Sequence, residues 1–278
     1  MTGTATVYTP LLVERAALLG APANLRVVRT GMGPKRARAV PAPAGPTVVA
    51  GVCGGHTWEL VAGDLVVASE VRGGDAVVPC PSAPLLAGAL RRLGLGVHTG
   101  PIRSSPHVLK GPAGADAVDM ESAWLAPPGE TPFTVVRAVV DTPEHPLWRF
   151  GTPARGVRAL RALRRAVPAL QQWAAATGYR ELRVADQPSF DGADLVLVAG
   201  RASSPETRRL VAAALHDRLP VHLVDDVRRV DLRWLAGARR VDITAAASAP
   251  PGLVDDLIRC LSGLGPVTVR FTLSREVI

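Results

Sequence analysis

The sequence predicts an α/β protein built in two parts. Apolar runs separated by glycine turns, such as residues 48–52 and 65–68, are typical of strands in a sheet that is buried on both faces. Residues 157–174 repeat apolar side chains at helical spacing, and from about Gly178 the alternation of apolar runs and helical segments begins again. A chain of 278 residues has room for two modest domains. We therefore expect an α/β domain over residues 1–177 and a smaller α/β domain over residues 178–278.

The individual elements follow from the same patterning. Strands are predicted over residues 48–52, 65–68, 133–140, 195–199, 221–224 and 267–271. Helices are predicted over residues 157–174, 205–218 and 251–264. Pro168 should kink or divide the first helix. The proline-rich segments 41–46 and 126–132 are predicted to be loops.

The positive net charge of the chain is compatible with a nucleic-acid partner or with a phosphorylated small molecule. Its net charge of +8 comes from thirty arginines and only two lysines, Lys35 and Lys110. No tract of alternating basic and aromatic residues is present, so we expect no nucleic-acid partner. Arginine also suits phosphate and diphosphate ligands. The sequence has no apolar run long enough for a membrane span and no signal-peptide pattern at its start, which predicts a cytoplasmic location.

Residues 114–125, GADAVDMESAWL, point to a sugar site. A carboxylate can accept hydrogen bonds from two vicinal hydroxyl groups, so Glu121 is a candidate ribose ligand. Met120 would offer the furanose an apolar wall. The alternative is a solvated glutamate beside a core methionine at the start of a helix.

Three further segments occur with this one in the order seen in the purine nucleoside phosphorylase and nucleosidase superfamily. They are TGMGP at residues 30–34, VVAGVCGGHTWELVAGDLVVAS at residues 48–69 and FTVVRAVVD at residues 133–141. Residues 5–145 therefore resemble this superfamily, with hopanoid-associated nucleoside phosphorylases the most similar branch and methylthioadenosine nucleosidases next. The resemblance implies a nucleoside-phosphorylase-like α/β domain that cleaves the N-glycosidic bond of a 5′-modified adenosine, for example an adenosyl hopanoid.

The resemblance also implies roles for three acids. Asp141, when protonated, would donate to purine N7 as a general acid, although a strand-end Asp can instead cap the turn before Pro143. Glu121 would bind the ribose and stabilise an oxocarbenium-like transition state. Glu14 matches the position where nucleosidases keep an acid that activates water or contacts the sugar, but an exposed helical glutamate is the alternative.

The nucleophile decides between phosphorolysis and hydrolysis. Glycines in two loops would let backbone amides approach an oxyanion, with Arg36 or Arg137 adding charge; these glycines are Gly31, Gly33, Gly51 and Gly54. Phosphorylases of the superfamily often carry a serine in the second loop, where this chain has Val52. The likeness to hopanoid-type enzymes narrowly favours phosphorolysis, with inorganic phosphate as co-substrate and hydrolysis as the alternative.

Recognition of the base has fewer candidates. The stacking ring would come from Trp58, Trp148 or Phe150, or from a neighbouring subunit, and we expect a homo-oligomer. The histidines His56 and His107 lack metal-ligand partners at suitable spacing, so they are interpreted as structural, and no metal site is expected.

The second part resembles a different family. Residues 194–210, 222–235 and 241–250 are similar to the last domain of 4-hydroxy-3-methylbut-2-enyl diphosphate reductase. The positions that match its diphosphate-binding serines are Ser203, Ser204 and Ser248. Helix N-terminal amides and hydroxyls suit an anion, but Ser203 and Ser204 would equally cap a helix starting at Pro205.

Cysteine content argues against reductase chemistry. The reductase family holds its iron-sulfur cluster with three cysteines, and only Cys260 lies in the second part, since Cys53 and Cys80 belong to the first. We expect no iron-sulfur cluster and no other bound cofactor. A second hypothesis for the whole chain is a non-catalytic binding or scaffold protein with degenerate nucleoside and diphosphate pockets.

Overall fold

Two β-sheets organise the chain in the computed structural model, which describes residues 3–41, 44–107, 114–146, 151–185 and 190–272. The strands of the first sheet are β1 (Ala5–Thr9), β2 (Leu25–Arg29), β3 (Thr47–Gly55), β4 (Leu65–Gly73), β5 (Ala76–Pro79), β6 (Val97–Ser104), β7 (Ala117–Asp119) and β8 (Phe133–Asp141). Those of the second sheet are β9 (Arg180–Ala185), β10 (Leu195–Ala199), β11 (Val221–Val224), β12 (Arg240–Ala245) and β13 (Val267–Thr272). This arrangement confirms the mixed α/β class.

Seven α-helices accompany the sheets among the described residues. They are α1 (Leu12–Ala17), α2 (Pro34–Arg38), α3 (Ala83–Arg92), α4 (Thr152–Ala175), α5 (Pro205–His216), α6 (Leu232–Leu235) and α7 (Leu253–Ser262). The helix predicted over residues 157–174 is confirmed as part of α4, which runs through Pro168 without being divided. The strands and helices predicted in the second part are also present, with ends within a few residues of those expected.

The first sheet closes on itself through part of its length. Strands β3, β8, β4, β6 and β7 pair in a ring, while β1 and β2 extend the sheet from β3, and β5 pairs with β4. The strands β2, β1, β3 and β8 are mutually parallel where they pair. Their carboxyl ends therefore meet at one edge, which is where ligands bind in sheets of this kind.

The pairing of β3 with β8 positions two charged residues of β8. Gly51 lies beside Arg137 and Gly54 beside Asp141, with a register shift between Cys53 and Gly54. Strand β8 is buried along almost its whole length, as expected for a strand with both faces covered. A charged side chain at Arg137 must therefore find its partners inside the protein.

All neighbouring strands of the second sheet are parallel, in the order β11-β10-β12-β9-β13. Its apolar face and that of the first sheet contribute to one continuous hydrophobic core. Trp173 on α4 is fully buried there and donates its indole N–H to Ser82 Oγ at 3.0 Å. Gly88 on α3 packs so closely on Arg228 that a Cβ would lie 2.0 Å from the Arg228 carbonyl oxygen.

The predicted division near residue 178 falls in the turn between α4 and β9. That the two halves are separate domains remains a proposal. Among the described residues, no helix combines the length and the apolar character that crossing a bilayer requires.

Candidate active site

A cavity of about 250 Å³ opens at the carboxyl edge of the first sheet. It brings together five of the residues that the sequence proposes for nucleoside cleavage. These are Glu14, Gly54, Met120, Glu121 and Asp141. They come from four separate segments of the chain. The sequence gives only the order of these segments, and the fold brings them to one cavity.

The buried side chain of Arg137 forms ion pairs with two acids that line this cavity. Its side chain is fully buried, and its Nη2 lies 2.8 Å from Asp119 Oδ2 and 3.4 Å from Glu121 Oε2. It also donates to Ser122 Oγ at 3.0 Å. Burial opposes the charge of this guanidinium, but Asp119, Glu121 and Glu14 outweigh that effect and raise its pKa. Arg137 is therefore a permanent internal cation shared by three acids.

Glu14 is almost completely buried, with 1% of its surface exposed, so the alternative of an exposed helical glutamate is excluded. Its Oε2 accepts the Leu11 N–H at 2.6 Å, and its Oε1 accepts the Val52 N–H at 2.7 Å. Burial raises the pKa of Glu14, while the Arg137 charge acts in the opposite direction. Because a carboxylate offers about four lone-pair sites, Glu14 retains capacity to accept a proton from a water in the cavity.

Glu121 lies two residues after the end of β7 and lines the same cavity. Its Oε1 accepts the Gly33 N–H at 2.8 Å, and its Oε2 faces Arg137. Burial raises the pKa of this carboxyl, and Arg137 counteracts the rise. Met120 lines the wall next to it. The arrangement fits a sugar ligand, since a fixed carboxylate stands beside an apolar surface.

Asp141 is the last residue of β8 and also lines the cavity. A Cβ on Gly54 would be 3.3 Å from Asp141 Oδ2, so the carboxyl lies against the bare backbone of β3. Burial raises the pKa of Asp141, and the charges of His56 and Arg155 oppose that rise. A carboxyl with a raised pKa holds its proton to higher pH, which is what a general acid needs.

The glycine loops differ from the sequence prediction in what their amides bind. The amide of Gly33 donates to Glu121, and that of Val52 donates to Glu14, so these N–H groups bind carboxylates of the protein itself. Gly31 packs on the stem of Arg36, where a Cβ would lie 2.5 Å from Arg36 Cδ. Gly31 and Gly33 have φ angles of +84° and +89°, a region that favours glycine.

Gly51 has a spatial role that carries a prediction. A Cβ there would lie 2.5 Å from Arg137 Nη1 and 2.6 Å from Glu14 Oε1. We expect Gly51→Ala to push these two groups apart and to lower the rate of any reaction in the cavity by about 10²-fold, since a displacement of about 1 Å has that effect. Gly45→Ala is the matched control, because nothing lies within 4 Å of a Cβ there. Equal steady-state rates for both variants would contradict this assignment.

Several residues of the site were not singled out from the sequence. Asp119 and Cys53 line the cavity, and so do His56 and His107, which the sequence interprets as structural. Both histidines line the cavity, and their interpretation as structural stays a prediction. The available signal for Asp119 was its position at a strand end two residues before Glu121.

The stacking ring for the base is not identified. Trp58 is 76% exposed and is not among the described residues that line the cavity. Trp148 and Phe150 lie outside the described residues. A ring from a neighbouring subunit remains a prediction.

Two of the serines matched to diphosphate binding, Ser204 and Ser248, form hydrogen bonds within the protein. Ser204 is the N-cap of α5 and accepts the Thr207 N–H at 3.5 Å. This is the capping role that the sequence offers as the alternative to diphosphate binding. Ser248 Oγ accepts the Arg201 N–H at 3.2 Å and lies 3.1 Å from Thr207 Oγ1.

The carboxylate of Glu206 lies next to the turn that carries Ser248. Glu206 Oε2 accepts the Ala247 N–H at 2.8 Å, one residue from Ser248. This carboxylate would repel a diphosphate. Ser203 is exposed. Diphosphate binding by Ser203, Ser204 and Ser248 therefore stays a prediction, and Glu206 weighs against it.

The three cysteines are all buried and free. Burial raises the pKa of Cys53, that of Cys80 to about 12 and that of Cys260 to about 11, so none is a ready thiolate ligand at neutral pH. Over the described part of the chain, no group of three His, Cys, Asp or Glu side chains is placed to hold a metal. The absence of an iron-sulfur cluster stays a prediction.

Sequence comparison identifies relatives of the second half. Residues 159–262 match the family described as LytB protein. The chain is 42% identical over 83 residues to 4-hydroxy-3-methylbut-2-enyl diphosphate reductase 1 of Rhodopseudomonas palustris, covering 30% of this chain and 27% of that protein. It is 42% identical over 76 residues to the reductase of Zymomonas mobilis, covering 27% of this chain and 22% of that protein. The chain thus spans about a quarter of the length of these curated relatives.

Structural comparison identifies solved structures whose fold is similar to that of the first part. The 5′-methylthioadenosine/S-adenosyl homocysteine nucleosidase of Campylobacter jejuni superposes with a TM-score of 0.51 at 15% identity, over 61% of this chain and 99% of that one. Futalosine hydrolase of Helicobacter pylori superposes with a TM-score of 0.50 at 14% identity, over 61% of this chain and 97% of that one. The fold of the N-terminal part is therefore nucleosidase-like, and the resemblance of the second part to the reductase family is confirmed.

Proposed function

We propose that the protein cleaves the N-glycosidic bond of a purine nucleoside, with a 5′-modified adenosine as the substrate class. The observation that carries the proposal is that the acids of the cavity lie in two electrostatic environments. Glu14 and Glu121 face the internal cation Arg137. Asp141 lies against Gly54, with His56 and Arg155 as its charged partners, and has a raised pKa. Cleavage needs both an acid for the leaving base and a carboxylate for the sugar and nucleophile.

The residues divide the reaction between them. Protonated Asp141 donates to N7 of the purine as the bond between C1′ and N9 breaks, and the bonding electron pair moves into the base. Glu121 accepts the hydrogen bonds of the ribose hydroxyls, and its charge stabilises the cationic sugar. Water adds to C1′ and passes its proton to Glu14. The products are the neutral base and a free sugar, and the enzyme is restored when Glu14 releases its proton to solvent and Asp141 takes one up.

Electrostatics favours water over phosphate as the nucleophile. Four acids line the cavity, namely Glu14, Asp119, Glu121 and Asp141. None of the described lining residues is Arg or Lys, and the charge of Arg137 is already shared by three of these acids. A phosphate dianion would enter against this field. Phosphorolysis, which the sequence narrowly favours, is thus the second candidate.

One experiment separates the two reactions. The protein is incubated with 5′-methylthioadenosine or adenosine in a phosphate-free buffer and, in parallel, with inorganic phosphate. We expect free adenine and a reducing sugar in both arms at similar rates. Release that requires phosphate and yields a sugar 1-phosphate would replace hydrolysis by phosphorolysis.

The same samples test the non-catalytic alternative. Thermal stabilisation by these nucleosides without any release of adenine would favour a binding protein, because a ligand at about 100 times its Kd adds about 2.7 kcal/mol. No adenine from any 5′-modified adenosine would overturn the proposed function. A homo-oligomeric state, a cytoplasmic location and the lack of a nucleic-acid partner remain proposals alongside it.

A further inference from the structure

Asp119 has no part in the mechanism above, yet its carboxylate makes five polar contacts. It ends β7, is 5% exposed and lines the cavity together with Glu14 and Glu121. Its Oδ1 accepts Ser104 Oγ–H at 2.5 Å and the N–H groups of Glu121 and Ser122 at 3.2 and 3.3 Å. Its Oδ2 accepts the Ser122 hydroxyl and lies 2.8 Å from Arg137 Nη2. One carboxylate therefore ties the sugar-binding turn to the internal cation.

We propose that Asp119 is a positioning residue that holds Arg137 and the turn bearing Glu121 in one fixed arrangement. This inference rests on the proposed function, and it adds a residue to that site. The two backbone N–H bonds to Oδ1 fix the chain at Glu121 and Ser122, and the Ser104 hydroxyl anchors the same oxygen to β6. The ion pair through Oδ2 fixes the guanidinium that Glu121 and Glu14 share.

The electrostatic part of the role has a definite sign. The ionisable groups facing Asp119 are Arg137 on β8, Glu14 on α1, Glu121 after β7 and Cys53 on β3. The negative charge of Asp119 adds to the burial that raises the pKa of Glu14 and of Glu121. Removing that charge should therefore lower both pKa values.

The Ser104 hydroxyl supports the geometric part. Besides donating to Asp119, Ser104 Oγ accepts the Ala123 N–H at 2.9 Å. The turn from Asp119 to Ala123 is thus held at both ends by β6 and β7. A turn held this firmly is suited to keep Glu121 in one orientation, which is a condition for efficient catalysis.

The test uses the full chain with Asp119→Asn, which keeps the side-chain shape and removes the charge. In the substrate-free protein, carboxyl carbon NMR titrations should show lower pKa values for Glu14 and Glu121 than in the wild type. In the activity assay, kcat should fall by about 10²-fold, and the acidic limb of its pH profile should move to lower pH, because Glu14 and Glu121 must be ionised to act. Asp75→Asn, in an exposed turn, is the matched control.

Asp119→Glu is the second variant, in case the asparagine variant does not fold. It restores the charge with one more methylene group, so the two pKa values should return toward those of the wild type while kcat stays low. Unchanged titrations of Glu14 and Glu121 in Asp119→Asn would overturn the inference. Wild-type protein that releases no base at any pH, with titrations that shift as expected, would instead overturn the proposed function and leave the coupling standing.

Discussion

Asp141→Asn is expected to reduce the release of purine base by about 10² to 10⁴-fold, the usual range for loss of a general acid. Asparagine fills the same space against Gly54 but cannot give a proton to N7. The effect should fall on kcat with little change in KM, because the ribose contacts proposed for Glu121 are not altered by this substitution. Loss in kcat with KM preserved separates a role in bond cleavage from a role in binding.

The pH dependence gives the same variant a second readout. Burial raises the pKa of Asp141, and the acid acts only while protonated, so the wild-type rate should fall as pH rises through that pKa. The variant should lack this alkaline limb. Glu144→Gln, three residues away and exposed, is the matched control and should keep both the rate and the limb. If Asp141→Asn retains wild-type kcat, the leaving base is protonated by another group.

The parts of the fold that could be predicted are those where burial dictates the pattern. Strand β8 was predictable because both of its faces are covered, which requires a continuous apolar run. Strand β6 was not predicted, since it contains Gly100 and Pro101 and lacks such a run. The structure gives the reason for Gly100: a Cβ there would collide with the carboxylate of Asp116. A long-range contact of this kind leaves no periodic trace in the sequence.

The site was predictable where a charged residue interrupts an apolar strand, as Arg137 does in β8. The role of Glu14 could not be decided from the sequence, because helix α1 exposes apolar residues and buries its acid. Leu12 and Val13 are 60% and 54% exposed, whereas Glu14 is buried. Only the tertiary contacts with Leu11, Val52 and Arg137 explain why the acid faces inward. Such a reversal is typical of a functional position, since it costs stability that packing alone would not require.

The largest effect on stability is expected from Arg137→Met, which keeps the length of the side chain and removes its charge. Breaking a buried ion pair from one side costs about 3–5 kcal/mol, because the remaining charges are buried without compensation. Here three carboxylates lose their shared cation. They are Glu14, Asp119 and Glu121.

The pH dependence of this loss identifies its cause. Arg137 is the charge that restrains the raised pKa values of Glu14 and Glu121, so both should rise further in the variant. A group whose folded-state pKa lies above its unfolded value contributes stability that is lost as pH rises through the folded pKa. The deficit in the free energy of unfolding should therefore be greatest near neutral pH and shrink as the pH is lowered toward the range of carboxyl titration. Urea denaturation at several pH values measures it, with Arg208→Met on the exposed face of α5 as control. A deficit that is the same at every pH would mean that Arg137 stabilises the protein by packing, and that the three acids do not depend on its charge.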